Sequence, residues 1–242
     1  MLILDFDGVV CDAFEECAVV TWYATEDPET TAAKPVAELV SDLPASFLTR
    51  FRTVRKYSRL LHHFMVAHDP RSEAVSGQRE FDALFAAFPE YELATYVDNA
   101  NRLRAALREN QRREWLALHT LYPGVRDLLE RHEGRVSIVT AKDERSVWDI
   151  LAFHRLDHTV VSVIGECGDK RSAVIDLVAE DGLEPRHATF IDDNLTNALQ
   201  VRDTGARSLW AYWGYHTPEH VQKSLARRMR RAYLPDLAEL HA

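Results

Sequence analysis

The spacing of apolar residues changes character twice along this chain. It opens with an apolar run of four, Met1 to Leu4, that ends abruptly in Asp5-Phe6-Asp7-Gly8. Four apolar residues are too few for a helix. They suit a buried strand of a parallel sheet with the polar residues at its C-terminal edge, where open α/β sheets bind ligands. From Cys11 the spacing turns helical and stays so for about a hundred residues. A helix is expected from Cys11 until Pro28, then a loop over residues 30–35 and a short helix near Val36–Val40. Residues 48–68 carry helical spacing through Val54, Tyr57, Leu61, Phe64 and Met65. A polar break at 69–77 and another short helix ending near Pro89 follow. The last piece places Leu93, Tyr96, Val97, Ala100, Leu103 and Leu107 on one stripe, continued by Trp115 and Leu118 towards Tyr122. None of this stretch has the pattern of a strand.

Beyond Tyr122 short apolar runs return, at 135–139, 159–164, 188–191 and 207–213, with helical segments at 125–131, 144–153, 170–180 and 195–202. Short strands separated by helices indicate a parallel sheet with right-handed crossovers, and the opening strand belongs to the same sheet. The fold class expected is therefore α/β. A Rossmann-like parallel-sheet core comprises residues 1–12 and 120–242, and an all-helical module, residues 13–119, is inserted into it.

Composition narrows the setting. At 242 residues and 46 % hydrophobic content, the chain can bury a core and an inserted subdomain. Twenty-nine Lys and Arg against thirty-eight Asp and Glu give a formal charge of −9, which argues against nonspecific nucleic-acid binding. The apolar runs are far short of a membrane span, and the first residues run straight into Asp5 and Asp7 instead of a signal-peptide cleavage region. The three cysteines, Cys11, Cys17 and Cys167, have no CxxC spacing, so neither a zinc site nor a disulfide framework is expected, and a reducing, cytoplasmic compartment is.

The topology then brings polar groups together. Asp5 and Asp7, Thr140, Asp192 and Asp193, and the start of the helix at Lys170 all fall at or near C-terminal strand edges. Several carboxylates around one point need a hard cation, and an all-oxygen set suits Mg²⁺ better than zinc. Thr140 and Lys170 are donors fit for a phosphoryl group beside that cation, with Lys142 a competing donor and Thr140 equally suited to cap the helix that follows.

These motifs resemble those of the haloacid-dehalogenase-like hydrolases, in the phosphatase branch with a helical C1-type cap inserted just after the first motif and phosphoglycolate-phosphatase-like relatives. DFDGVV resembles the opening signature, VTAKD the second motif, Lys170 in GDKRSAV the third, and FIDDNLTNA the acidic fourth. The resemblance implies Asp5 as nucleophile and Asp7 as general acid/base, with Thr140 and Lys170 holding phosphate. It implies Mg²⁺ on Asp5, the Asp7 carbonyl and Asp193, assisted by Asp192, with Asn197 an open alternative. The activity implied is Mg²⁺-dependent hydrolysis of a small organic phosphomonoester through an aspartyl-phosphate. Phosphotransfer within a sugar phosphate and a non-catalytic binding role are the alternatives. The partner expected is a small phosphorylated metabolite, with a homodimer left open and neither nucleic acid nor membrane.

Specificity would then lie in the inserted helices. Residues 45–68 hold five basic side chains, Arg50, Arg52, Arg55, Lys56 and Arg59, and no acid. Arg50, Arg52 and Arg55 are the candidates for reading a second substrate charge, against a plain solvated face. The run Arg227-Arg228-Met229-Arg230-Arg231 is expected to be an exposed helix face.

Overall fold

The structure, a computed structural model, describes residues 1–240. It divides into two compact units, Met1–Asp12 with Thr120–Ala242, and Ala13–His119.

Among its described residues the first unit contains eight strands, β1 (Leu2–Leu4), β2 (Cys11–Asp12), β3 (Thr120–Leu121), β4 (Val136–Val139), β5 (Val160–Ile164), β6 (Thr189–Asp192), β7 (Arg207–Ala211) and β8 (Arg231–Ala232). Six of them form one sheet in the order β5-β4-β1-β6-β7-β8, and every neighbouring pair is parallel. Leu2, Ile3 and Leu4 are fully or almost fully buried. Burial on both faces is why β1 is continuously apolar instead of alternating. Ile3, Val139 and Phe190 pack with Val174, Leu177 and Val178 of the helix Lys170–Glu180 and with Val201 of the helix Leu195–Arg202. With β4 on one side of β1 and β6 on the other, the strand order reverses at β1: the chain runs outward through β4 and β5 and then returns to β6 on the opposite side. That arrangement opens a crevice at the C-terminal strand ends.

Two sequence expectations for this unit are corrected. Cys11–Asp12 is not the start of a helix, nor is Thr120–Leu121 the end of one. They form the antiparallel pair β2–β3, a ladder between distant residues that local spacing does not encode. The sheet also does not close at β7. A helix, Pro218–Ala226, follows with Thr217 as its cap, and β8 adds a sixth strand.

The Arg227–Arg231 run is consequently not a helix face. The helix ends at Ala226, and Arg228 takes a left-handed φ of 49°. Met229 and Ala232 are buried and Arg228 and Arg230 exposed, and Arg231–Ala232 pair with β7 as a strand. Arg231 lies 5.3 Å from the Tyr212 ring and donates to the Val221 carbonyl and to Ser224 Oγ.

The second unit has no strand among its described residues. Its α-helices are Phe14–Tyr23, Pro28–Ala32, Val36–Ser41, Ala45–Arg55, Gln78–Phe85, Glu90–Asn110 and Arg112–Leu116, with 3₁₀ segments at Leu61–His68 and Pro70–Ala74. The expected loop at 30–35 is therefore partly helical, because Asp27 accepts from the Thr30 amide and Pro28 occupies the first turn, where its missing N–H costs nothing. The helical spacing over 48–68 splits into an α-helix and a 3₁₀ segment, and the long stripe breaks at Gln111, whose side chain bonds the Val36 amide and the Ala32 and Lys34 carbonyls.

An acidic residue of the first helix is not solvated. Glu16 is 0 % exposed and accepts from Arg104 Nε at 2.7 Å. Elsewhere in the unit Phe47 stacks on Phe51 and tilts against Trp22, and the Tyr96 hydroxyl donates to Thr21 Oγ1. No helix among the described residues is long and apolar enough to cross a membrane.

Candidate active site

Three neighbouring strands end beside one another, and each ends in chemistry. β1 stops at Leu4, and the Asp5 amide donates to the Ile191 carbonyl of β6, so Asp5 is anchored next to Asp192 and Asp193. Ligating oxygens of Asp5, Asp192 and Asp193 all lie within 4.8 Å of one another, and all three residues are buried. Lys170, the first residue of its helix, points its ammonium into this group, 2.7 Å from Asp5 Oδ2 and 2.9 Å from Asp192 Oδ2.

The electrostatics follow from burial. Desolvation raises the Asp5 carboxyl to about 6 from an ordinary 3.8, Lys170 opposing the rise and Asp192 adding to it. Burial acts against the Lys170 ammonium too, but Asp192 and Asp5 together outweigh it, and its pKa lies above the ordinary lysine value. Asp192 accepts from three protein donors: the Asn194 amide reaches its Oδ1 at 2.7 Å, and Asn197 Nδ2 reaches its Oδ2 at 3.2 Å beside Lys170. Asp192 and Asn197 thus act on the lysine in this geometry.

Asp7 is served by the other lysine. Lys142 Nζ lies 3.3 Å from Asp7 Oδ2, with its side chain 1 % exposed. The choice between Lys142 and Lys170, open in the sequence, resolves into two separate pairs, Lys170 with Asp5 and Lys142 with Asp7. Thr140 is buried at the end of β4, and its Oγ1 accepts from the Lys142 amide at 3.2 Å. It does not cap the helix Glu144–Phe153, because Asp143 does so by accepting from the Ser146 amide.

Gly8 is required by two facts. Its φ is +91°, and a Cβ there would collide with the carboxylate of Asp193. Asp193 itself accepts from the Tyr215 amide through Oδ2 at 2.8 Å, and its carbonyl accepts from Trp210 Nε1 at 2.7 Å. Tyr215 and Gly214 were not indicated by sequence reasoning. The one signal that pointed there was a glycine flanked by large aromatics directly after an apolar strand.

The basic residues singled out in the helical unit are bound to that unit's own groups. Arg50 Nε donates to the Ala67 carbonyl at 2.9 Å, the Arg52 guanidinium lies 4.9 Å from the Phe14 ring, and that of Arg55 lies 5.2 Å from the Phe64 ring.

The carboxylate group fits a hard divalent cation on its own chemistry. Three buried carboxylates and one ammonium leave a net charge of −2, every candidate ligand atom is an oxygen, and burial, with the Asp192 charge adding to it, has already pushed the Asp5 carboxyl towards protonation.

No curated protein matches the chain in sequence. Among solved structures, a haloacid dehalogenase-like family hydrolase from Streptococcus pneumoniae is 17 % identical with a TM-score of 0.62, the match covering 99 % of this chain and 97 % of that one. A protein described as a predicted phosphoglycolate phosphatase from Haemophilus somnus is 15 % identical at 0.64, covering 99 % and 96 %. One described as a predicted phosphatase from Clostridium acetobutylicum is 13 % identical at 0.61, covering 98 % and 95 %. At these identities the likeness is one of fold. The family model for the haloacid dehalogenase-like hydrolases matches residues 1–200, from the Asp5 strand through the Asp192-Asp193 motif, and the chain belongs to that family.

Proposed function

We propose that this hydrolase is a Mg²⁺-dependent phosphatase acting on a small organic phosphomonoester, with Asp5 as nucleophile. The observation that carries this reading is the meeting of Asp5, Asp192 and Asp193 with Lys170 at the ends of β1 and β6. Asp5, Asp193 and the Asp7 carbonyl would hold the cation. Bound there, it would neutralise the repulsion between an anionic nucleophile and an anionic substrate.

In the first half-reaction an Asp5 oxygen forms a bond to phosphorus as the bond from phosphorus to the leaving oxygen breaks. The leaving alkoxide takes its proton from Asp7. In the second, water attacks the phosphorus of the aspartyl-phosphate and gives its proton to Asp7. The bond from Asp5 to phosphorus then breaks, and orthophosphate leaves. Lys170 balances charge on Asp5 before and after transfer, Thr140 donates to a phosphoryl oxygen, and the Lys142 ammonium keeps the Asp7 carboxyl in one orientation. A carboxyl at about 6 is still mostly ionised at neutral pH, as a nucleophile must be.

The descriptions of two structural relatives as phosphatases support the reaction class, and we assign leaving-group discrimination to the helical unit. The test is phosphate release across a panel of metabolite phosphates, with chelator and with Mg²⁺. Mg²⁺-dependent turnover of at least one monophosphate is expected. Full turnover in metal-free protein, or none on any monophosphate with Mg²⁺ present, overturns the reading.

A further inference from the structure

The segment Trp213-Gly214-Tyr215, which follows β7, touches the candidate metal ligand and the loop after the candidate nucleophile at the same time. The Tyr215 amide donates to Asp193 Oδ2 at 2.8 Å, and the Tyr215 hydroxyl donates to Asp12 Oδ1 at 2.9 Å. Trp213 Nε1 donates to the Val9 carbonyl at 3.3 Å. Gly214 lies between these contacts. A Cβ there would press on the Asp193 side chain and come within 2.6 Å of the Gly8 carbonyl. From the opposite side, a Cβ on Gly8 would meet the same Asp193 carboxylate.

One carboxylate is therefore walled by two glycines and addressed by one backbone N–H, while the Trp210 indole fixes the carbonyl of the same residue at 2.7 Å. The contacts made by Trp213, Gly214 and Tyr215 are not part of the sheet, since β7 has ended at Ala211. All of them restrict Asp193, either directly or through the Gly8 loop against which it rests. A ligand whose orientation is set before the ion arrives loses less freedom on binding, and groups that orient metal ligands typically change affinity by about 10–100-fold when altered.

We propose that Trp213-Gly214-Tyr215 is a positioning segment that presets Asp193 for the divalent cation, anchored at its far end on Asp12 and Val9. The inference rests on the reading of Asp193 as a Mg²⁺ ligand. Its substance is a division of labour. Asp193 binds, Gly214 admits the close approach, the Tyr215 amide fixes the carboxylate, and the Tyr215 hydroxyl holds that amide in place through Asp12.

Titration calorimetry of Mg²⁺ into the metal-stripped full chain tests it, with the melting temperature of the metal-free protein and the split between kcat and the Mg²⁺ activation constant as further readouts. Gly214→Ala should weaken Mg²⁺ by about tenfold or more. Tyr215→Phe and Asp12→Asn should each weaken it severalfold, and by little more when combined, because both act on one hydrogen bond, the first by removing its donor and the second by removing the charge of its acceptor. The metal-free melting temperatures of Tyr215→Phe and Asp12→Asn should stay near wild type, and kcat should recover at saturating Mg²⁺. Tyr233→Phe, at an exposed ring tilted against Tyr212, should change nothing.

Unchanged Mg²⁺ affinity in folded Tyr215→Phe and Asp12→Asn overturns the proposal while leaving the phosphatase reading standing. Melting temperatures that fall without a change in affinity overturn it too, by reducing the segment to a structural role. Wild-type protein that binds no Mg²⁺ removes the metal reading itself. Should Gly214→Ala fail to fold, the other two variants decide the matter by themselves.

Discussion

Replacing Lys170 by methionine removes the ammonium shared by Asp5 and Asp192 while keeping most of the buried side-chain volume. The carboxylates lie 2.7 and 2.9 Å from Nζ, and the lysine is 6 % exposed, so solvent screens neither contact appreciably. Breaking a buried pair by deleting one partner typically costs about 3–5 kcal/mol, because the other charge is left uncompensated. Here two anions are left, which places the expected loss towards the upper end. The sign of its pH dependence follows from the two shifts. Asp5 is raised from 3.8 to about 6, so between those values the native state binds more protons than the unfolded chain, and Asp5 contributes less to stability as pH rises through that window. Roughly two units correspond to about 3 kcal/mol as an upper bound. Lys170 is shifted upward, so its stabilisation is complete below the unfolded lysine value of 10.5 and is undiminished at neutral pH.

The variant should therefore be weakest in metal-free buffer near pH 7.5, recover much of its deficit near pH 5 where Asp5 carries a proton in both proteins, and recover part of it when Mg²⁺ supplies positive charge. Urea unfolding under each condition measures the loss, and hydrogen exchange of the β1 and β6 peptides assigns it to the sheet. A metal-free variant as stable as wild type near pH 7.5 would refute the reasoning, as would an equal deficit at both pH values.

Three further outcomes are expected. Asp5→Asn should fold and release no phosphate, whereas Asp7→Asn should slow esters with poor leaving groups more than those with good ones, as burst and steady-state phosphate release will report. Arg104→Met should destabilise the helical unit by about 3–5 kcal/mol in denaturant unfolding, because Glu16 is fully buried against it, and adding Glu16→Gln should return part of that loss. Arg52→Ala should raise KM for doubly charged substrates more than for singly charged ones if the helical unit reads a second charge; equal small effects would mark Arg52 as a solvated cation over Phe14.

Much of the core was legible because its signals are local. The apolar run before Asp5, the recurrence of short strands and helices after Tyr122, and polar residues at successive strand ends each follow from the periods of strand and helix. The bounds of Glu144–Phe153, Lys170–Glu180 and Leu195–Arg202 coincide with the expected ones for the same reason. The helical unit was legible in class but not in detail. Its breaks at Lys56 and Gln111 depend on what the chain meets in space, as the Gln111 side chain shows by bonding to Val36 across the unit.

By itself, the sequence determined a parallel α/β core interrupted by helices, and it determined that Asp5, Thr140, Asp192 and Asp193 would lie at strand ends, with Lys170 opening a helix near them. Only the tertiary structure decided which charge answers which. Lys170 turned to Asp5 and Asp192 and Lys142 to Asp7, Glu16 was buried against Arg104, and Asp193 came to rest between Gly8 and Gly214. Periodicity reports which face of an element is buried. It carries no information about the partner, because pairs such as Asp7 with Lys142 or Asp193 with Tyr215 join residues far apart in the chain, and their energies depend on distance and desolvation, which exist only once the chain has folded.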